Sequence, residues 1–328
     1  MQTIQQLSAV ILDSASDAES VDRACSELYE LFSAAATSAG HTVRAATDRR
    51  LDSGVALSPA LAAQCLLDGR RTRAFSRGAL KAIQDVVRLN APEPVEVLYA
   101  GTGPFAPLAF LIMPFTDPDR VRFTLLDVNA ESTQAVAALV DVLGLASHVR
   151  EVVCADATTY RHPADIHVLI SETMRRSLAE EPFVSILQNL RPQLARGGAI
   201  VPERVTIDLA LLDPATEQAR WSGAREPLDH VAFVGRVFEV DAGQATRAAT
   251  TIEVRCDGRP DARWLALVTR IVVYHDEILE PYASGLTTPE ILWSLSPVTR
   301  DLTLELQYLE GAAPRLEWCV RPLVPAPA

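Results

Sequence analysis

Residues 95–106 read VEVLYAGTGPFA. The first six carry valine, leucine and tyrosine in a short apolar run, the pattern of a strand buried on both faces. Gly101 and Gly103 then break it. Glycines at such a turn adopt dihedrals that other residues reach only at a cost, and they let backbone approach a ligand with no Cβ in the way. Alone, a GxG turn is equally well a plain structural turn, so its meaning rests on the segments downstream.

Those segments alternate in character. After VEVLYA come PLAFLIM, FTLLDV, STQAVAALVDVLGL, REVVCAD, IHVLIS and PFVSILQNLRPQL, short apolar runs exchanged with helical segments up to about Pro202. Strands alternating with helices predict βαβ units and a doubly wound parallel sheet. Asp127 ends the second strand, 24 residues after Gly103, and Asp156 ends the next in CADA. Carboxylates there accept hydrogen bonds from ribose hydroxyls in Rossmann-like sheets, where ligands sit beyond the carboxyl ends of the strands. Gly103, Asp127 and Asp156 would then face one crevice. A nicotinamide enzyme shares the first two features, but Phe105 stands where a dinucleotide fingerprint wants a small residue. The other reading leaves both aspartates as exposed strand ends.

Residues 1–90 predict a helical region. Ile4, Leu7, Val10 and Ile11, then Ala24, Leu28, Leu31 and Phe32, recur at three and four. Ser58-Pro59 reads as an N-cap with proline at the first helical position, and a further helix is expected over roughly 73–89, before APEP. Residues 91–202 form the Rossmann-like unit, and 203–328 a β-rich, barrel-like unit. In the last, VTIDLALL, TIEVRC, WLALVTRIVVY and LTLELQYL read as successive strands, with GRPD and EGAAP as turns. Residues 213–245 are the least legible, read as a helical excursion, and PAPA as a frayed tail.

The 328 residues carry a net charge of −12 with no long basic run, which argues against nucleic acid and would help gather a small cationic substrate. The longest apolar run, Ala106–Phe115, holds two prolines and is too short to cross a bilayer, and the N-terminus lacks a signal peptide's basic start. Five scattered cysteines without CxxC argue against disulfides and zinc and fit a reducing, cytoplasmic setting. The six histidines have no metal-ligand spacing, and His167 lies in an apolar strand, where a satisfied buried histidine is expected. No metal site is expected.

Four stretches, in order, resemble the class I S-adenosylmethionine (SAM) methyltransferases, and within them the protein arginine methyltransferases. LLDGRRTRAF is similar to the segment in which Asp precedes Arg-Thr, here Asp68, Arg71 and Thr72. VLYAGTGPFA resembles the glycine motif, and FTLLDVN the strand ending in the ribose acid. ADIHVLISETM resembles the strand entering the double-glutamate loop, here Glu172 and, nine residues on, Glu181, with Met174 between them. GGAIVPERVTI is similar to the passage into the C-terminal barrel, and residues 264–290 faintly resemble that barrel. The likeness departs in three places. Tyr99 replaces the acid that often opens the glycine motif, the Thr-His-Trp histidine is missing near Trp293, and the dimerisation arm is short or altered.

The resemblance implies SAM as cofactor, held by Arg71 (on the SAM carboxylate), Tyr99, Gly101, Gly103, Asp127 (on the ribose), Asp156 and Ala157 (near the adenine). It implies Glu172 and Glu181 as the catalytic pair gripping a guanidinium, whose planar fork of donors suits two carboxylates. Glu172 could instead cap the loop, and Glu180-Glu181 could be a solvated acidic face. The expected activity is N-methylation of a small cation such as free arginine or another guanidino amino acid, in a natural-product pathway, with a homodimer as a compatible assembly. Two alternatives stay open: cyclisation of SAM to azetidine-2-carboxylate and methylthioadenosine, and a noncatalytic SAM-binding protein.

Overall fold

In the N-terminal region the hydrophobic stripes become two packed helices, α1 (Gln2–Leu12) and α2 (Ala18–Ser38). Asp17 caps α2 by accepting from the Ser20 N–H at 2.8 Å, and Val21, Ala24, Cys25, Leu28, Phe32 and Ala36 form its buried face. The helical expectation for residues 1–90 then needs a correction. Residues 41–57, HTVRAATDRRLDSGVAL, have no 3.6-residue apolar repeat. They run as an extended strap holding a small antiparallel hairpin, β1 (Arg49–Leu51) and β2 (Gly54–Ala56). Ser58 caps α3 (Pro59–Gln64), with proline in its first turn, and α4 (Gly69–Leu89) follows a 3-10 turn over Cys65–Leu67. The computed structural model describes residues 2–89, 94–222, 231–241, 249–254, 263–295 and 301–322.

The central sheet is built from β3 (Val95–Ala100), β4 (Val121–Asp127), β5 (Val149–Cys154), β6 (Ile166–Ser171) and β7 (Leu194–Val201). Its order is β5-β4-β3-β6-β7 and every pairing is parallel. All of β3 is buried, including Glu96, whose carboxylate is held by Arg150. The order reverses between β3 and β6, so the crevice opens where Ala100 and Ser171 end their strands. Between strands run α5 (Pro107–Phe110), α6 (Ala130–Val142) and α7 (Phe183–Leu190). The helix expected over PLAFLIM is only the single turn of α5, then a 3-10 turn at Met113. Nearly every side chain from Phe105 to Met113 is buried, so this stretch fills the core and has no solvent face to shape a longer amphipathic helix. Phe105 itself meets Tyr29 edge-on at 5.6 Å and Phe32 at 5.9 Å, which is why an aromatic replaces the small residue of a dinucleotide site.

Beyond β7 the chain turns antiparallel: β8 (Arg204–Leu212), α8 (Pro214–Trp221), β9 (Val231–Asp241), β10 (Ala249–Val254), β11 (Arg263–Tyr274), β12 (Glu277–Leu279), β13 (Glu290–Leu295), β14 (Leu302–Leu309) and β15 (Arg315–Pro322). One sheet runs β12-β11-β8-β9 with β13 also on β11, and the other runs β10-β14-β15. Phe238 and Tyr308 stack across them, ring centroids 4.4 Å apart. The fold class is therefore the expected one: a Rossmann-like parallel sheet followed by antiparallel, barrel-like sheets. Among the described residues of 213–245 the helical reading holds for α8 and fails over β9, which is a strand. Cys256, GRPD and PAPA lie outside the described residues.

Helix α4 joins the two units. A Cβ on Gly78 would fall 2.6 Å from Val273 Cγ1, so helix and β11 touch with no room for a larger residue. Arg77 and Lys81 bind Glu277 at 2.8 and 2.6 Å. His167 accepts the Glu96 N–H through Nδ1 at 3.1 Å, away from the crevice, as a satisfied histidine of the sheet. No described helix is long and apolar enough to cross a membrane, and no described group of His, Cys, Asp and Glu is arranged to hold a metal ion.

Candidate active site

The glycine turn supplies the first wall. Gly101 and Gly103 have φ of +81° and +59°, the left-handed region that disfavours any side chain. Space demands glycine as well, because a Cβ on Gly101 would fall 2.1 Å from Thr173 Cγ2. The turn is tied to the end of β4. Asp127 accepts from the Gly103 N–H through one oxygen and from the Asn129 N–H through the other, both at 2.8 Å. Burial pushes the Asp127 carboxyl above its ordinary range, and these backbone donors oppose that push. Each oxygen keeps a lone pair for a ligand hydroxyl. After β5, Asp156 takes the Thr158 N–H and hydroxyl on a single oxygen, at 2.8 and 2.7 Å. Ala157 follows it, buried.

Arg71 sits in the first turn of α4, its N–H donated to Asp68 Oδ1 at 3.1 Å. Its guanidinium pairs through Nε with Glu172, the first residue after β6. Burial alone would lower the Arg71 pKa, but Glu172, by charge and hydrogen bond, together with Cys65 and Glu181 more than offsets this and raises it. Burial pushes Glu172 up, against the pull of Arg71. Tyr99, wholly buried at the floor, is pushed up by burial and by the Glu172 charge.

The second glutamate arrives by an unusual path. Ser177, Leu178 and Glu180 hold φ of 55°, 55° and 65°, and the loop is braced from outside. Thr269 Oγ1 accepts the Ser177 N–H, the Tyr308 hydroxyl donates to the Leu178 carbonyl, and Pro314 O accepts the Glu180 N–H. Glu180 is left outside, paired with Arg175, while Glu181 turns inward to 6% exposure. The solvated-face reading therefore fits Glu180 and not Glu181. Burial raises the Glu181 pKa to about 8, with Arg71 opposing and Glu172 reinforcing the shift.

All nine residues singled out from sequence, Arg71, Tyr99, Gly101, Gly103, Asp127, Asp156, Ala157, Glu172 and Glu181, line one cavity of about 770 Å³ including its mouth. The sequence reading missed Cys65, Asn129 and the strap residues Leu51, Ala56 and Leu57. Asn129 stands two positions past the ribose acid and could have been inferred. The strap carries no motif that would have marked it.

The fold is thus a parallel sheet in this order, with a glycine turn on its central strand and antiparallel sheets beyond it. Among solved structures, a chain of the Trypanosoma brucei PRMT1 enzyme–prozyme heterotetrameric complex with AdoHcy is similar, with a TM-score of 0.56. The match covers 79% of this chain and 92% of that one, at 13% identity, so the likeness is one of fold. No family model and no curated protein matches the sequence.

Proposed function

We propose that this protein is a SAM-dependent methyltransferase that N-methylates a small cation, with a free guanidino amino acid such as arginine as first candidate. One observation carries the reading: a largely buried arginine, two strand-end aspartates and two glutamates, Glu181 buried and Glu172 largely so, line a single cavity. The donor set fits SAM. Asp127 would accept from the ribose hydroxyls, Asp156 would lie near the adenine, and Arg71 would meet the carboxylate. Bound SAM would supply an electrophilic methyl group. The similar trypanosomal protein was solved with AdoHcy, the product of such a transfer, which agrees with this assignment.

Glu172 and Glu181 would hold the acceptor. Arg71 already compensates Glu172, so Glu181 would take the larger share of a second cation. A cation beside Glu181 favours its ionised form, so acceptor binding would release a proton near neutral pH. The ionised pair would fix one nitrogen toward the methyl group and draw off its proton as the bond forms. The strap over the cavity favours a free small acceptor over a protein substrate. We also propose the three-unit division at about residues 90 and 202, and a homodimer.

A second reading is supported by the Arg71–Glu172 pair. With Glu172 engaged, Glu181 is one carboxyl poised near neutral pH, which suits taking a single proton from the SAM amine during cyclisation. Incubation with SAM alone and with SAM plus arginine, followed by mass spectrometry of both nucleosides, separates the two. Arginine-dependent S-adenosylhomocysteine is the expected product. Methylthioadenosine with azetidine-2-carboxylate from SAM alone would establish cyclisation, and neither product would leave a binding protein.

A further inference from the structure

The strap crosses the cavity from rim to rim and is fastened differently at each. At the β4 rim the contacts are direct hydrogen bonds. Arg49 Nη1 donates to the Val128 carbonyl at 2.7 Å, Asn129 Nδ2 to the Leu57 carbonyl at 3.0 Å, and the Arg44 N–H to Glu131 Oε1 at 2.7 Å. At the glutamate rim there is one backbone bond, the Val55 N–H to the Glu180 carbonyl at 2.8 Å, and one side chain that gathers the rest. That side chain is Arg175, which pairs with Glu180 and lies 3.7 Å from both Asp48 Oδ2 and Glu181 Oε1. Asp48 also takes the Ser58 N–H at 2.8 Å, so a pull on it reaches both ends of the strap. The approach is close: a Cβ on Gly54 would fall 2.6 Å from the Glu180 carbonyl oxygen.

We infer that Arg175 is a positioning residue that latches residues 44–58 to the loop carrying Glu181, and that the strap opens at this rim and hinges at the other. Partly exposed ion pairs at 3.7 Å are weak and quickly remade, whereas the hydrogen bonds to Val128, Asn129 and Glu131 hold the far side. Closure seats Leu51, Ala56 and Leu57 against the cavity and fixes Glu181 from outside. The effect on turnover rests on the function proposed above; the latch itself does not.

The strap reports its own opening, because Arg49 and Arg50 are exposed trypsin sites within it. In ligand-free protein, Arg175→Gln should speed cleavage after these residues about 2- to 10-fold at unchanged Tm, the yield of one or two weak pairs. Asp48→Asn should act in the same direction, and the double variant should cleave no faster than Arg175→Gln. Arg175→Lys, which keeps the charge, should restore most of the protection. Unchanged cleavage, additive effects, or a lysine variant as open as the glutamine one would overturn the latch. If Arg175→Gln fails to fold, Asp48→Asn against wild type decides alone. Protection by added S-adenosylhomocysteine is scored separately, so its absence would count against the cofactor reading and leave the latch standing.

Discussion

The cavity's two acidic rims differ in how they are made. Asp127 stands at the end of a buried parallel strand and is bonded to backbone N–H groups two residues on and in the adjacent glycine turn. Glu181 depends on a loop with three left-handed residues, held by the strap, by β11 and by the residues around Pro314. One carboxylate is positioned by backbone at the ends of two adjacent parallel strands, the other by contacts from three segments outside that sheet. Substitutions at the first rim should therefore act locally on ligand affinity. At the second, changes to the glutamates themselves should spread into catalysis, pH dependence and stability together.

The largest effect is expected at the Arg71–Glu172 charge pair. Glu172→Gln removes the direct partner of Arg71, leaving only the Glu181 charge near it, as well as weakening the acceptor clamp. Breaking a buried pair costs about 3–5 kcal/mol, so turnover should fall by two to four orders of magnitude and Tm should fall with it. Near-normal kcat with native melting would confine Glu172 to the loop and erase the contrast between the rims.

Asp127→Ala should weaken nucleoside binding about 10- to 150-fold, from the ~1.5–3 kcal/mol of one charge-assisted hydrogen bond. Calorimetry with S-adenosylhomocysteine measures it, and a folded variant of unchanged affinity would take Asp127 out of the site.

Glu181 sharpens the comparison through pH. Its pKa is raised by burial to about 8, against an ordinary 4.5, with Arg71 and Arg175 pulling down and Glu172 and Asp48 pushing up. The folded protein thus keeps a proton that the unfolded chain has lost. The associated stability is fully present below about 4.5 and is lost as pH rises through about 8. Wild type should lose stability relative to Glu181→Gln between pH 5 and 8. If the clamp needs the carboxylate, kcat/KM should climb up to about tenfold per pH unit toward 8 in wild type and stay flat in the variant. Parallel profiles in both proteins would remove Glu181 from the chemistry.

The smallest change is expected at Asp156. One of its oxygens already closes the turn with Thr158, so Asp156→Asn keeps the shape and should cost affinity only about 2- to 5-fold, near the ~0.5–1 kcal/mol of a single neutral hydrogen bond. A loss as large as that of Asp127→Ala would mean that both strand ends bind with equal weight.

Much of this molecule could be read from the chain alone, for a definite reason. Strand and helix periods, the Gly101 and Gly103 turn, the Ser58-Pro59 start and the acid that ends β4 are short-range facts, set by backbone sterics and by burial on one or two faces. A motif resemblance carried the two glutamates, whose spacing survives as a pattern even though nothing local holds them. What only the tertiary structure decided is non-local. The strap has no periodicity, and its place over the cavity comes from hydrogen bonds to residues about 70 to 130 positions away. The pairing of Arg71 with Glu172, the inward turn of Glu181 beside an outward Glu180, and the raised pKa that results are matters of charge and burial between segments. A sequence lists such groups in order, but electrostatic and desolvation energies depend on distances that arise only when the chain has closed on itself.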